Sequence, residues 1–205
     1  MKNFITFEGG EGSGKSSAII EIKNRLEKLG YKVVVTREPG GIKISEDIRN
    51  IILDVNNKDI TYETEALLYA ASRTQHLHQK VLPALNEGAI VLCDRYLDSS
   101  LAYQGCGRDL GFEDVLDINK YALKYMPEKT FFIDVKPEVA LKRIENRDKQ
   151  DRLDLEEISF HEKVYNGFVK VVETYPNRVE AIDGTLPLED IIELLYTKIL
   201  NIVRG

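Results

Sequence analysis

Five short runs rich in β-branched and aromatic residues divide the chain: Asn3 to Phe7, Lys32 to Thr36, Ala89 to Cys93, Lys129 to Val135 and Arg178 to Ile182. Each has the length and composition of a strand. Between and after them lie longer stretches whose apolar residues return every three to four positions, among them Lys15 to Leu29, Tyr62 to Asn86 and Leu188 to Val203. That spacing puts one apolar stripe along a helix. Strand and helix therefore alternate, which predicts an α/β fold: a five-stranded, mainly parallel sheet joined by right-handed crossovers, with helices on both faces. No internal repeat or linker rich in Pro, Gly or Ser splits the chain, so residues 1–205 are expected to form one domain. One segment breaks the pattern. From Arg143 to Asp154 nearly every residue is charged or polar, so this stretch is expected to cover something and not to be core.

Composition narrows the possible partners. Hydrophobic residues make up 43% of the 205 and charged residues 30%, an ordinary globular balance with enough chain for a substantial core. The formal net charge of −6 opposes binding to a nucleic-acid backbone, which relies on many Lys and Arg neutralising phosphates together. A small phosphorylated ligand needs only a local cluster of cations. The start of the chain reaches Glu8 and glycines before a signal-type apolar stretch develops, and no window approaches eighteen apolar residues. A cytoplasmic location without membrane association is expected. Cys93 and Cys106 have neither CxxC nor zinc-finger spacing and read as two reduced thiols.

Gly9-Gly10-Glu11-Gly12-Ser13-Gly14-Lys15-Ser16 satisfies GxxxxGK[ST], between the first predicted strand and the first predicted helix. Glycines let consecutive backbone N–H groups turn toward phosphate oxygens, and the helix N-terminus adds a favourable dipole. Lys15 would reach the β and γ phosphates, Ser16 would ligate Mg²⁺, and Ser17 completes the ATP-binding loop. Ile90-Val91-Leu92-Cys93-Asp94 is an apolar strand ending in an acid, which makes Asp94 the second candidate for the metal or its water. A guanine-reading NKxD motif is absent, since Asn119-Lys120-Tyr121-Ala122 carries alanine where the acid must stand, and no LSGGQ-like string marks a transporter ATPase. Small-molecule kinases remain. They stabilise a transferring phosphoryl with placed cations, and Arg37, Arg49, Arg73 and Arg95 fall on or after the predicted elements, near the carboxyl edge where open α/β sheets bind ligands.

Beyond the loop, Thr36-Arg37-Glu38-Pro39-Gly40-Gly41, Ala71-Ser72-Arg73, Asp94-Arg95-Tyr96 and Ser99-Ser100-Leu101-Ala102-Tyr103-Gln104-Gly105 follow in order. With Phe7 to Ser16 they make the whole chain resemble the thymidylate kinases, P-loop NTPases of three layers with a short lid. The resemblance implies transfer of the ATP γ-phosphate to dTMP, giving dTDP, with Mg²⁺ and commonly as a homodimer. It further implies that Arg95 and Arg37 hold the acceptor phosphate and that Glu38 lies near the sugar and metal. Arg73 and Gln104 would bond the pyrimidine edge, Tyr69 would stack on the base, and Arg49, Ser99 and Ser100 would line the acceptor pocket. Tyr103 would crowd the sugar 2′ position. Glu11 stands where some members have a P-loop arginine, which resembles the bacterial subgroup whose charge-stabilising arginines come from the lid. Among Arg143, Arg147 and Arg152, the last two are the favoured lid cations. The chain departs from the family at Ile42-Lys43-Ile44-Ser45, where many members carry Thr after the glycine pair, and at Ser16-Ser17, where two Thr are frequent. Two other readings stay open from the residues: a kinase for another nucleoside monophosphate or a deoxynucleoside, and a P-loop module that senses ATP without turnover.

Overall fold

The computed structural model describes residues 1–144 and 151–205. The five predicted runs are the strands β1 (Phe4–Glu8), β2 (Val33–Arg37), β3 (Ile90–Asp94), β4 (Lys129–Asp134) and β5 (Val179–Asp183). They form one sheet in the order β2-β3-β1-β4-β5, every neighbouring pair parallel. Four strands lie one residue further along the chain than the apolar runs suggest. The reason is that Glu8, Arg37, Asp94 and Asp183, polar residues that hydropathy assigns to loops, still pair in the ladder.

Both faces of the sheet are buried. Along β1, Ile5 and Phe7 point one way, into a cluster with Ile19, Ile22 and Leu26 of α1 (Lys15–Lys28) and Ile191, Leu195 and Ile199 of α9 (Leu188–Arg204). Phe4 points the other way, packing with Val91, Leu77, Val81 and Tyr96. Further along that second face, Phe132 of β4 stacks on Phe168 of α8 (Ile158–Thr174), centroids 5.0 Å apart. Each such buried side chain contributes roughly 1.5–3 kcal/mol.

The segment 62–86 is helical but not one regular helix. It divides into α3 (Tyr62–His76), a π-helical turn at Leu77–Val81 and α4 (Leu82–Asn86). Pro83 has no N–H to return to the preceding turn, and the wider winding accommodates that loss. Shorter helices outside the predicted helical stretches also appear: α2 (Lys43–Leu53), α5 (Leu97–Ser100), α6 (Phe112–Ile118) and α7 (Pro137–Ile144). Leu153 corrects the all-surface reading of its segment. The Asp151 carboxylate accepts from the Leu153 and Asp154 amides, and this local turn directs Leu153 into the cluster around Phe160 and Phe168. Among the described residues no helix is long and apolar enough to cross a membrane.

The chain leaves β1 for the β2–β3 side of the sheet and later returns to the β4–β5 side, so the carboxyl ends of β1 and β3 border the crevice where such sheets bind ligands. A second π-helical segment, Leu101–Gly107, lies across the mouth of this crevice against α8. Their approach is set by Gly167, where a Cβ would stand 2.8 Å from the Ala102 Cα and 3.0 Å from the Cys106 Cβ. Backbone on one side cannot yield cheaply. Gly167→Ala is therefore expected to cost about 1–3 kcal/mol, read as a lower urea midpoint at unchanged m-value; an unaltered midpoint would show that the packing adapts freely.

Candidate active site

The loop after β1 bends through Gly9, Gly12 and Gly14, with φ of 141°, 74° and 92°, values that side chains disfavour. Lys15 opens α1 and folds back over the loop, its Nζ donating to the Gly9 and Gly10 carbonyls at 3.0 and 2.9 Å and to Ser13 Oγ at 3.2 Å. Burial, and then the nearby Arg95, lower its pKa. Ser16 Oγ donates to Asp94 Oδ2 at 2.9 Å, which joins the two metal candidates, one at the start of α1 and one at the end of β3. Asp94 Oδ1 is buried with no hydrogen-bond partner. A hydroxyl and a carboxylate with an unused oxygen fit a hard cation such as Mg²⁺, which prefers oxygen ligands and retains waters and phosphates. Among the described residues no group of three His, Cys, Asp or Glu gathers as a metal cage, so an ion here would depend on phosphate oxygens.

Beside this loop two clefts meet. The first, about 930 Å³ including its open mouth, follows the P-loop from Glu11 to Ser17 and reaches Arg37, Asp94 and Arg143. The second, about 570 Å³, is lined by Tyr69, Arg73, Ser99, Ser100, Tyr103 and Gln104. Glu11, Glu38, Arg49 and Arg95 belong to both walls. Arg95 is the central one of these. Its backbone is left-handed, at φ 69°, and its guanidinium donates to Glu11 Oε1 at 2.6 Å, Ser99 Oγ at 3.2 Å and Tyr103 Oη at 3.2 Å.

Under the second cleft the polar groups are deeply buried. Arg73, 2% exposed, spends Nε on Glu38, Nη1 on Asn119, and Nη2 on the Tyr96 carbonyl and Ser100 Oγ. Glu38 also contacts His76 Nδ1 at 2.9 Å, and His76 Nε2 lies 2.7 Å from Thr36 Oγ1. The Glu38–Pro39 peptide is cis, and Arg49 donates to the Pro39 carbonyl. After the glycine pair, Glu46 holds the turn: it accepts from the Gly41 amide at 2.7 Å and from Arg37 through both oxygens at 2.8 Å. Tyr69 lines the cavity beside Leu53 and Leu153, and burial, then Glu65, push its phenol pKa up. Gln104 donates to Glu65.

The described arginines of the 143–154 segment turn to different partners. Arg143 donates to the Gly12 and Gly184 carbonyls at 3.2 and 3.3 Å and lines the P-loop cleft. Arg152 stands on the other side, donating to the Ile52 carbonyl and to Glu65. Arg147 lies outside the described residues. Several buried groups have no role assigned from sequence: Glu8, Glu65, His76, Asp98, Arg108 and Asn119. Glu8, at the end of β1, accepts from the Tyr96 amide and from Ser99 Oγ, and burial, then Asp98, raise its pKa to about 8. The only sequence signal for Glu65 was its place four residues before Tyr69, on the same helix face.

The model of the family described as thymidylate kinase matches residues 7–195. A thymidylate kinase of Acholeplasma laidlawii is 49% identical over 200 residues, covering 97% of this chain and 98% of its own. One of Lactobacillus helveticus is 52% identical over 193 residues, with 92% and 91% covered. The crystal structure of a thymidylate kinase from Ehrlichia chaffeensis superposes with a TM-score of 0.74 at 28% identity, covering 98% of each chain. P-loop, adjoining clefts and these full-length likenesses agree, and the chain belongs to the thymidylate kinase family.

Proposed function

We propose that the protein transfers the γ-phosphoryl group of ATP to the phosphate of dTMP, releasing ADP and dTDP. The observation that carries this reading is the wall shared by the two clefts, with Arg95 between the P-loop and a second pocket lined by aromatic and hydrogen-bonding groups. A donor and an acceptor phosphate would meet there without water between them. An oxygen of the acceptor phosphate forms the new bond to the γ phosphorus, and the bridging oxygen leaves with ADP. No general base is needed, because a phosphate monoester with a second pKa of about 6 is largely ionised at neutral pH.

Lys15 and the P-loop amides hold the donor phosphates, Arg95 and Arg37 orient the acceptor phosphate, and Arg49 lines the junction. Tyr69 stacks on the base, while Ser99, Ser100 and Tyr103 bound the sugar side. Arg143 and Arg152 flank the clefts, and Arg147 remains a lid candidate on sequence grounds. Ser16 and Asp94 would hold Mg²⁺, whose charge offsets that of the phosphates. Ile44 and Ile51 on α2 and Leu67 on α3 are about half exposed, which supports a homodimer through this face. Two free thiols suit a reducing cytoplasm.

A coupled assay of ADP release with ATP and a panel of dTMP, dUMP, dCMP and thymidine tests the assignment. dTMP should give the highest kcat/KM; preference for another acceptor, or ATP binding without acceptor-dependent ADP release, would replace it with one of the rival readings. Lys15→Ala should lower kcat by at least about 10²-fold with dTMP affinity by calorimetry nearly unchanged, since the lysine faces the donor cleft. An unaffected kcat removes that role. Asp94→Asn should raise the Mg²⁺ concentration for half-maximal rate by about 10- to 100-fold, and an unshifted Mg²⁺ titration would place the ion elsewhere.

A further inference from the structure

Glu65 carries none of the motifs above, yet it is fully buried (0% exposed) on the first turn of α3. Its Oε1 accepts from Gln104 Nε2 at 2.9 Å and, at the longer distance of 3.4 Å, from Arg108 Nε. Its Oε2 accepts from Arg152 Nη2 at 2.5 Å and from Arg108 Nη2 at 3.3 Å. A carboxylate facing two guanidiniums can only accept hydrogen bonds. Gln104 must therefore turn its NH₂ toward Glu65, and the carbonyl Oε1 is the atom it can offer to a ligand in the cavity. Arg73, joined to Ser100 one turn before Gln104, is a donor at every pH. Four of its five N–H groups are directed at Glu38, Asn119, the Tyr96 carbonyl and Ser100, which leaves one on Nη1. Arg73 and Gln104 both line the second cleft, so its wall can offer one donor and one fixed acceptor.

We propose that Glu65 is a specificity-determining positioning residue: by fixing the Gln104 amide it matches the pocket to a ring carbonyl beside a ring N–H. Thymine and uracil have that pair. Cytosine carries a lone pair at the same ring nitrogen, which would face the Gln104 carbonyl and be repelled. The proposal rests on the reading that this cavity holds the acceptor base. Discrimination of this kind comes from leaving buried polar groups unpaired.

The test is Glu65→Gln, an isosteric change. Arg152 and Arg108 Nη2, which converge on the Oε2 position, would hold the carbonyl of the introduced amide there, so its NH₂ would face Gln104 and force that side chain to present its own NH₂ to the base. The ratio of kcat/KM for dTMP over dCMP should then fall by at least about tenfold, while the ratio of dTMP over dUMP, which share the same edge, stays constant. A purely structural role would lower all three substrates alike, and that outcome overturns the proposal while leaving the kinase reading intact. A wild-type enzyme that does not phosphorylate dTMP defeats the kinase reading itself, and this inference with it. Should the variant fail to fold, ¹⁵N-glutamine labelling of the wild-type protein decides. The Gln104 NH₂ pair should be protected from solvent exchange and unmoved by dTMP; free exchange overturns the proposal.

Discussion

Much of this molecule depends on keeping guanidiniums and carboxylates paired where water is scarce. Arg73 and Glu38 are each 2% exposed, Asp98 is fully buried against Arg178 through two contacts of 2.6 and 2.8 Å, and Glu65 lies between Arg108, Arg152 and Gln104. Removing one member of such a pair leaves an uncompensated charge, at about 3–5 kcal/mol. These pairs cross the fold: Glu38 follows β2, Arg73 sits on α3, Asp98 follows β3 and Arg178 precedes β5. They fix the relative positions of the elements that surround the clefts, which apolar contacts alone do less specifically.

The same logic separates two kinds of arginine. Arg73 has partners as buried as itself, so its orientation is permanent and its remaining donor has a defined direction. Arg37 pairs with Glu46, which is 36% exposed, and Arg95 with Glu11, which is 38% exposed. In both pairs the carboxylate is open to solvent, so phosphate oxygens can take its place with less loss than at a fully buried pair. Glu8 stands beneath Arg95 and holds the bend it starts from. Through the Tyr96 amide and Ser99 Oγ it ties the left-handed residue to the end of β1, and its raised pKa follows from burial beside Asp98.

Most of the architecture was legible because it rests on local periodicity. The strands, the strand-to-helix P-loop and the helices α1 and α9 are set by residues close together in the chain. What hydropathy misplaced were the strand ends, where Arg37 and Asp94 are both ladder members and cleft residues and Glu8 lies buried beneath them. The π-helical segment at Leu101–Gly107 was not legible either. Its winding answers to the close approach of α8 at Gly167, a contact more than sixty residues away in sequence.

The site was legible where a motif carried it and illegible where an acid merely supports one. Ser16, Asp94 and Arg95 stand in strings whose chemistry depends on spacing, whereas Glu65 in the first turn of α3 looks like any acid favoured at a helix N-terminus. Only the fold reveals that Gln104 and two arginines converge on it from positions 39 to 87 residues distant. A buried side chain that can only accept fixes which atom its amide neighbour offers to a ligand, and no periodicity in sequence records that choice. On the proposed reading, the identity of the base would be set one layer behind the residues that touch it.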